Sequence, residues 1–370
     1  MRALFDREES EASGPAFPDR SFYRKADIAA PDEKLRRLRE TNINEASART
    51  PHIAALVEKV LGRRVASVQP LSSQGTFHLV HEVRLSDGAQ LIFRSSLPEL
   101  IPADSAFEVE QAVVKKLTAT GLPVVPILAT ADGAAAPFSY QIMSQAPGSA
   151  LSSRDRDAVD SDPPLLACLG GAVASLGRIP GTGFGPLQVT QGYGRLQGSF
   201  SSWRDYAMCR WEDHLAQGER LSLWEVAQTA EIDNHGRGIL PLLPETPGSL
   251  IHGDLGNHNI FVEGQTVFLI DWEDAMLGDP TFDAAMWASF HLPRAFGPFL
   301  DSFRPGWRDD EIFRARFAFY FFRIVLAKAI HRHRFGYADV PGRPTMRQRM
   351  AEAREMLACA GASHSGFLVA

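Results

Sequence analysis

The chain has 370 residues, 45% of them hydrophobic and 22% charged, with a formal net charge of -6. That composition fits a globular enzyme with room for two lobes; the acidic balance argues against nucleic acid as a partner and is compatible with a cationic substrate. Three scattered cysteines, Cys168, Cys209 and Cys359, without CxxC or Cys/His spacing, argue against a disulfide framework or a cysteine metal centre.

Taken in order, MRALFDREES carries acids where a secretory signal needs an apolar core, and no later stretch offers the roughly 18 apolar residues of a membrane span, so a cytoplasmic protein is expected. Residues 1–48 are polar and charge-mixed and read as a flexible leader with one exposed helix around Asp32 to Glu40. Ile53, Leu56, Val57, Val60 and Leu61 then recur at helical spacing, and Gly62 closes that helix.

A small lobe is expected to end at the linker Ser144-Gln145-Ala146-Pro147-Gly148, giving a domain over residues 49–148. Its strands are read at Val68 to Leu71, Leu79 to Leu85 and Ala89 to Arg94, with Ser86-Asp87-Gly88 as a turn, and two more runs cover Val124 to Leu128 and Phe138 to Met143. Ser105-Ala-Phe-Glu108 is a capping box opening a helix through Leu117. Ser72-Ser73-Gln74-Gly75-Thr76 forms a turn before the second strand, and Arg94 ends the third. The linker's backbone N–H and C=O groups, at Ser144 and Ala146, lie on an extended segment.

Residues 149–370 read as a larger, mostly helical lobe, with helices at Leu165 to Leu176, Trp203 to Leu215, Trp224 to Ile232, Ile312 to Ile330 and Met346 to Leu357. Gly181-Thr-Gly-Phe-Gly185 and Gly192-Tyr-Gly194 suggest a flexible connection. Trp203, Tyr206 and Trp211 are read as core in preference to a stacking platform. Arg314, Arg316, Arg323 and Lys328 exclude a membrane span for the Phe-rich helix, and His331-Arg-His-Arg334 complements its C-terminal dipole.

The chemistry concentrates in SLIHGDLGNHNIFVEGQTVFLIDWEDAMLGDPTFD, from Ser249 to Asp283. Asn259 to Val262 and Thr266 to Ile270 form a hairpin about Gly264 and Gln265, which brings Asn259 and Asp271 to one open end as hard oxygen ligands suited to Mg²⁺. Asp254, in a loop between Gly253 and Gly256, aims a second carboxylate at whatever the metal holds. Glu273 and Asp274 are either solvated loop acids or residues that support the site or meet the acceptor. Asp279-Pro280 begins a helix, with the aspartate at its cap.

With its His252-Gly253-Asp254, Asn259, Asp271-Trp272, Gly278-Asp279-Pro280 and Asp283, this stretch resembles the aminoglycoside phosphotransferase and choline kinase-like superfamily of small-molecule kinases. The resemblance spans roughly Val65 to Phe290. It implies an α+β, bilobal protein-kinase-like fold with a small antiparallel-sheet N-lobe and a larger helical C-lobe. It implies Asp254 as the catalytic residue that orients the acceptor hydroxyl, Asn259 and Asp271 on Mg²⁺, and ATP or GTP as donor. The nucleotide is then bound by Ser73, Gly75 and Thr76, by Arg94 and its acidic partner Glu110, preferred over Glu108, and at its base by backbone groups of Ser144 and Ala146; a plain tight turn, a surface arginine at a strand end and a simple linker are the alternatives. His252, Asp279 and Asp283 are expected to support the loop, and His78 stands where relatives often carry Asn. The expected partner is a small-molecule hydroxyl acceptor, an antibiotic or related natural product, with a choline, homoserine or sugar-type metabolite as the alternative and a regulator without turnover as the third; no nucleic acid or membrane partner is expected.

Overall fold

The computed structural model describes residues 26, 28, 30–72, 74–97, 106–131, 138–188, 196–246, 248–340 and 343–361. Ser73, Ser105 and the Gly192-Tyr-Gly194 stretch lie outside these residues.

The long helix α1 (Asp32–Leu61) precedes a five-stranded antiparallel sheet made of β1 (Val65–Pro70), β2 (His78–Leu85), β3 (Gln90–Ser96), β4 (Ile127–Ala131) and β5 (Tyr140–Ser144), in the order β1-β2-β3-β5-β4. The turn between β2 and β3 closes where expected, with Gly88 at φ 89 and the Leu85 N–H donating to Ala89 O at 2.9 Å. Helix α2 (Ala106–Ala119) connects β3 to β4. It turns Phe107, Val113, Val114 and Leu117 inward along one stripe, with Glu110 buried among them.

The leader boundary is corrected. The helix expected around Asp32 to Glu40 is present, but it is neither short nor fully exposed: it is the start of α1, which runs on through Pro51 to Leu61 and leaves no flexible stretch over residues 41–48. Leu35 and Ala46 pack with Phe77, Leu79 and Phe335, while Ile53 and Val57 pack under the sheet with Val83, Leu91 and Phe93. Polar contacts fix the same helix: Asn42 Nδ2 donates to Gly75 O at 3.0 Å and Arg49 Nη1 to Ser96 O at 2.8 Å. The sequence pattern misleads here because apolar residues are sparse along this half, and side-chain hydrogen bonds supply much of the anchoring.

The large lobe begins with β6 (Ser149–Ala150), α3 (Arg156–Asp160), α4 (Pro163–Leu176), β7 (Phe184–Gln188) and β8 (Gln197–Phe200). Helices α5 (Trp203–Ala207), α6 (Trp211–Arg220) and α7 (Thr229–Ile239) follow. The single helix expected over Trp203 to Leu215 is thus two, divided at Arg210, whose φ of 59° is left-handed. Trp203, Tyr206 and Trp211 are buried core residues. Part of the expected flexible region is also ordered, since β7 pairs with a strand of the site.

That strand belongs to a compact arrangement of β9 (Ser249–Ile251), β10 (Ile260–Glu263), β11 (Thr266–Leu269) and β12 (Met276–Gly278). Strand β12 lies between β7 and β9 in a four-stranded sheet, with Met276 opposite Ile251. β10 and β11 form the expected hairpin, Glu263 opposite Thr266, and β10 also pairs with β6. Both ends of the chemistry-bearing stretch are therefore fixed by one sheet, and its middle is tied to the segment just after the linker.

Helices α8 (Thr281–Ala288), α9 (Phe296–Phe303), α10 (Glu311–Arg334) and α11 (Met346–Gly361) complete the lobe. Asp310 caps α10 by accepting the Phe313 N–H at 2.9 Å, and the helix is buried on nearly every face from Phe313 to Ile330. Buried Arg323 is satisfied by Ala207 O at 3.1 Å and Cys209 O at 2.8 Å. Among the described residues, no helix is long and apolar enough to cross a membrane.

Candidate active site

The loop that carries Asp254 leaves β9 through His252-Gly253-Asp254. Gly253 adopts φ +82, and a Cβ there would stand 2.2 Å from Asp274 O, so both backbone and space require glycine. Asp283, buried at the start of α8, accepts the N–H groups of His252 at 2.6 Å and Gly253 at 2.9 Å. Burial pushes the Asp283 carboxyl up to about 7, against these two backbone bonds. His252 is itself buried; its Nε2 bonds Ile270 O at 2.9 Å and its Nδ1 accepts the Asp254 N–H at 3.3 Å. With one ring nitrogen donating and the other accepting, the bonds assign a neutral tautomer. Burial accordingly holds its pKa below the ordinary value, against the pull of Asp254. Both nitrogens are committed to the loop, as a brace requires.

Asp279 accepts the Thr281 N–H at 3.1 Å, the capping role read from sequence, and the hydroxyl of Tyr320 at 3.0 Å, tying α8 to α10.

Asn259 and Asp271 meet at the end of the hairpin, where the Ile270 N–H donates to Asn259 O at 3.0 Å. The Asn259 Nδ2 donates to Asp254 O at 3.0 Å, which leaves Oδ1 as the side chain's acceptor. Asp271 takes a left-handed conformation, φ 66 and ψ 62, uncommon for a residue with a Cβ and found where local structure over-determines it. Its Oδ1 accepts from Arg94 Nη2 at 2.6 Å. Among the described residues no three His, Cys, Asp or Glu side chains form a metal cluster. The Asn259 amide oxygen and the Asp271 carboxylate do fit Mg²⁺, which binds through few protein oxygens and keeps its other positions for phosphate and water.

Arg94 is the hub of the small-lobe side. It is 6% exposed; Nη1 donates to Glu110 Oε2 at 2.6 Å, and Glu273 Oε2 lies 3.7 Å from Nη2. Burial disfavours its charge, but Asp271, Glu110 and Glu273 together outweigh that and raise its pKa. Glu110 has its own carboxyl pushed up by burial and by Asp271 and Glu273, opposed by Arg94 and by the Trp272 N–H, which donates to Oε1 at 3.2 Å. The structure thus joins Arg94 to Glu110, not Glu108, and α2 to the loop after Asp271.

Glu273 and Asp274 are not solvated loop acids: they are 8% and 4% exposed. Glu273 forms a short contact with His78 Nε2. The residue that departs from the resembling pattern is therefore part of the charge network. Gly75 and Thr76 line the same cavity as Arg94 and Asp271, and Thr76 Oγ1 shares a hydrogen bond with Tyr337 Oη at 2.6 Å. At the linker, the Ser144 N–H is committed to Pro126 O at 3.0 Å, so it cannot also serve a base edge; Ala146 is half-buried beside it.

These groups surround a cavity of about 320 Å³ between the lobes, lined by Gly75, Thr76, His78 and Arg94 on one side and Asp254, Asp271, Glu273 and Lys328 on the other. Lys328 was read from sequence only as a charge that excludes a membrane. It reaches the site from α10, its Nζ donating to Ser289 Oγ at 2.6 Å and sitting 3.1 Å from the centroid of the Phe290 ring. Lying 74 residues beyond Asp254, it had no local pattern to reveal it.

Two lobes around a cavity that carries this set of residues define a kinase-like phosphotransferase. The family model for the phosphotransferase enzyme family matches residues 67–319. The chain belongs to that family, and it is a phosphotransferase with an alcohol group as acceptor. Comparison with curated proteins gives no match. Among solved structures, it is similar in fold to the aminoglycoside phosphotransferase APH(4)-Ia in a ternary complex with ADP and hygromycin B, at TM-score 0.59 and 18% identity, covering 84% of this chain and 98% of that one. A putative fructosamine-3-kinase from Thermobifida fusca gives TM-score 0.58 and 22% identity over 82% and 98%. The macrolide 2'-phosphotransferase MphH from Brachybacterium faecium gives 0.54 and 16% over 85% and 99%.

Proposed function

We propose that the chain transfers the γ-phosphoryl group of ATP or GTP to a hydroxyl of a small molecule, with Asp254 orienting that hydroxyl. The observation that carries this reading is that Asp254, Asp271 and Arg94 line one cavity, with Asn259 bonded to the Asp254 backbone and Glu110 holding Arg94 from behind. Mg²⁺ bound by Asn259 and Asp271 would supply charge neutralisation at the phosphates. Arg94, held by Glu110, presents a permanent charge with a planar fork that matches phosphate oxygens. The backbone at Gly75 and Thr76 contributes to the cover over the phosphates. Asp254, backed by the neutral His252 and by Asp283, fixes the acceptor oxygen for in-line attack. Because the transition state of such transfers is loose, orientation and charge matter more than proton abstraction.

For the acceptor, an antibiotic or related natural product is the leading class, supported by the hygromycin B complex and the macrolide enzyme among the structural neighbours. A metabolic acceptor of choline, homoserine or sugar type is the second reading, favoured by the fructosamine kinase likeness. The test is mass spectrometry of a mixed hydroxyl panel incubated with protein, Mg²⁺ and ATP or GTP, with Asp254→Asn as control. A product gaining one phosphoryl group with the parent alone supports the reading; equal product from Asp254→Asn removes Asp254 from the mechanism.

A further inference from the structure

Beside the catalytic cavity lies a second recess of about 290 Å³, and His258, Phe290, Lys328 and Arg332 line both. Its wall carries Arg154, Arg156, Lys328, Arg332, Arg343 and Arg349 against a single acidic lining residue, Asp339. In a chain of net charge -6, this is a local reversal of sign.

The cations are not placed there to satisfy carboxylates. Arg349 pairs with Glu352 at 2.8 Å. Among the described residues, Arg154, Arg156, Lys328, Arg332 and Arg343 form no ion pair, whereas Arg94, Arg237, Arg294, Arg304 and Arg308 elsewhere all do. Within the described residues, the Nε groups of Arg156 and Arg332 are buried with no hydrogen-bond partner. A buried donor without an acceptor is costly, and like charges held together raise that cost unless an anion enters. Burial and the neighbouring Arg343 push the Arg156 guanidinium down to about 10, with Asp160 pulling the other way. Burial pushes Lys328 well below its ordinary value despite the attraction of Asp254, and Arg349, Arg156 and Arg332 add to the effect.

We propose that this recess is the subsite for an anionic substituent, a carboxylate or a phosphate, of the acceptor whose hydroxyl meets Asp254. The assignment rests on the phosphotransfer reading above and narrows it. Lys328 stands at the junction, facing Asp254 on one side and the arginines on the other, so one small molecule spans both regions with its hydroxyl at the aspartate and its negative group among the guanidiniums. Planar guanidiniums grip carboxylate and phosphate oxygens in pairs. A polycationic acceptor would be repelled by the same wall. The phosphates of the nucleotide have their own cation at the opposite side of the catalytic cavity, Arg94.

The test uses the full chain with Mg²⁺ and ATP, offering hydroxyl compounds in matched sets: hydroxy acids, sugar phosphates, their neutral parents and polyamine-bearing analogues. Transfer to anionic members, with KM raised about ten- to hundredfold by Arg343→Ala or Arg156→Ala and a much smaller change in the KM for nucleotide, is the expected result. The hydroxy-acid and sugar-phosphate arms tell carboxylate from phosphate. Preferential turnover of neutral or cationic members, with KM unmoved by either substitution, overturns the proposal. If no member is turned over, inorganic phosphate is titrated into protein saturated with ADP and Mg²⁺. Binding weakened about tenfold or more by Arg343→Ala sustains the recess, and equal or absent binding by the parent overturns it. Transfer that survives in Asp254→Asn but remains sensitive to Arg343→Ala would refute the catalytic assignment while leaving the recess intact.

Discussion

At the scale of single residues, the site is a set of charges held in place by other charges and by backbone. Asp254→Asn preserves shape and removes the carboxylate proposed to orient the acceptor; turnover is expected to fall by about 10²- to 10⁴-fold, with nucleotide affinity retained in a binding titration. Glu110→Gln leaves Arg94 buried with one less counter-charge, so a loss of about 3–5 kcal/mol in denaturant unfolding is expected, together with a raised KM for nucleotide. Asp283 titrates near neutrality because burial raises its carboxyl from 3.8 to about 7. The folded chain therefore keeps a proton that the unfolded chain releases as pH rises above about 4. Stability from this group is fully present below that pH and is lost as pH rises through about 7, by at most about 4 kcal/mol. Urea unfolding at pH 5 and pH 8 should show this fall in the parent, and Asp283→Asn, which cannot titrate, should flatten it.

Among the elements, α1 changes most between expectation and structure. It joins the phosphate-side loop, through Asn42 and Gly75, to the end of α10, where Arg36 Nη2 donates to His333 O at 3.2 Å. Leu35 is fully buried against Phe77, Leu79 and Phe335. Leu35→Ala is thus expected to cost about 2–5 kcal/mol, read by thermal or chemical denaturation. A small loss, comparable to an exposed substitution, would return the first half of α1 to the status of a leader. The β10–β11 hairpin, by contrast, was legible in advance, because its signal is local: two β-prone runs of matched length about Glu263-Gly264-Gln265.

Across the whole molecule, the two lobes meet at the cavity through the Arg94–Asp271 and His78–Glu273 contacts. On the proposed function, a nucleotide with Mg²⁺ bound there would stabilise the folded chain by mass action, about 2.7 kcal/mol at a hundredfold excess over Kd. The expected readout is a rise in melting temperature that chelation of Mg²⁺ reduces and Asp271→Ala abolishes.

The sequence by itself determined the reaction class and the order of parts, since Asp254, Asn259 and Asp271 lie within 18 residues on one loop and hairpin whose geometry follows from turn chemistry and spacing. It also singled out Arg94 with Glu110, through the resemblance of their positions to the family's pattern and because capping already accounts for Glu108. Only the tertiary structure decided that Glu273 and Asp274 are buried, that Ser144 has spent its amide, and that α1 is one helix through Pro51. It alone brought Lys328, Arg332 and Arg343 to Arg154 and Arg156, from segments more than 170 residues apart. Local periodicity and turn chemistry reach only a few residues along the chain, whereas the sign of charge inside a cavity is a sum over whatever the packing of distant helices brings together.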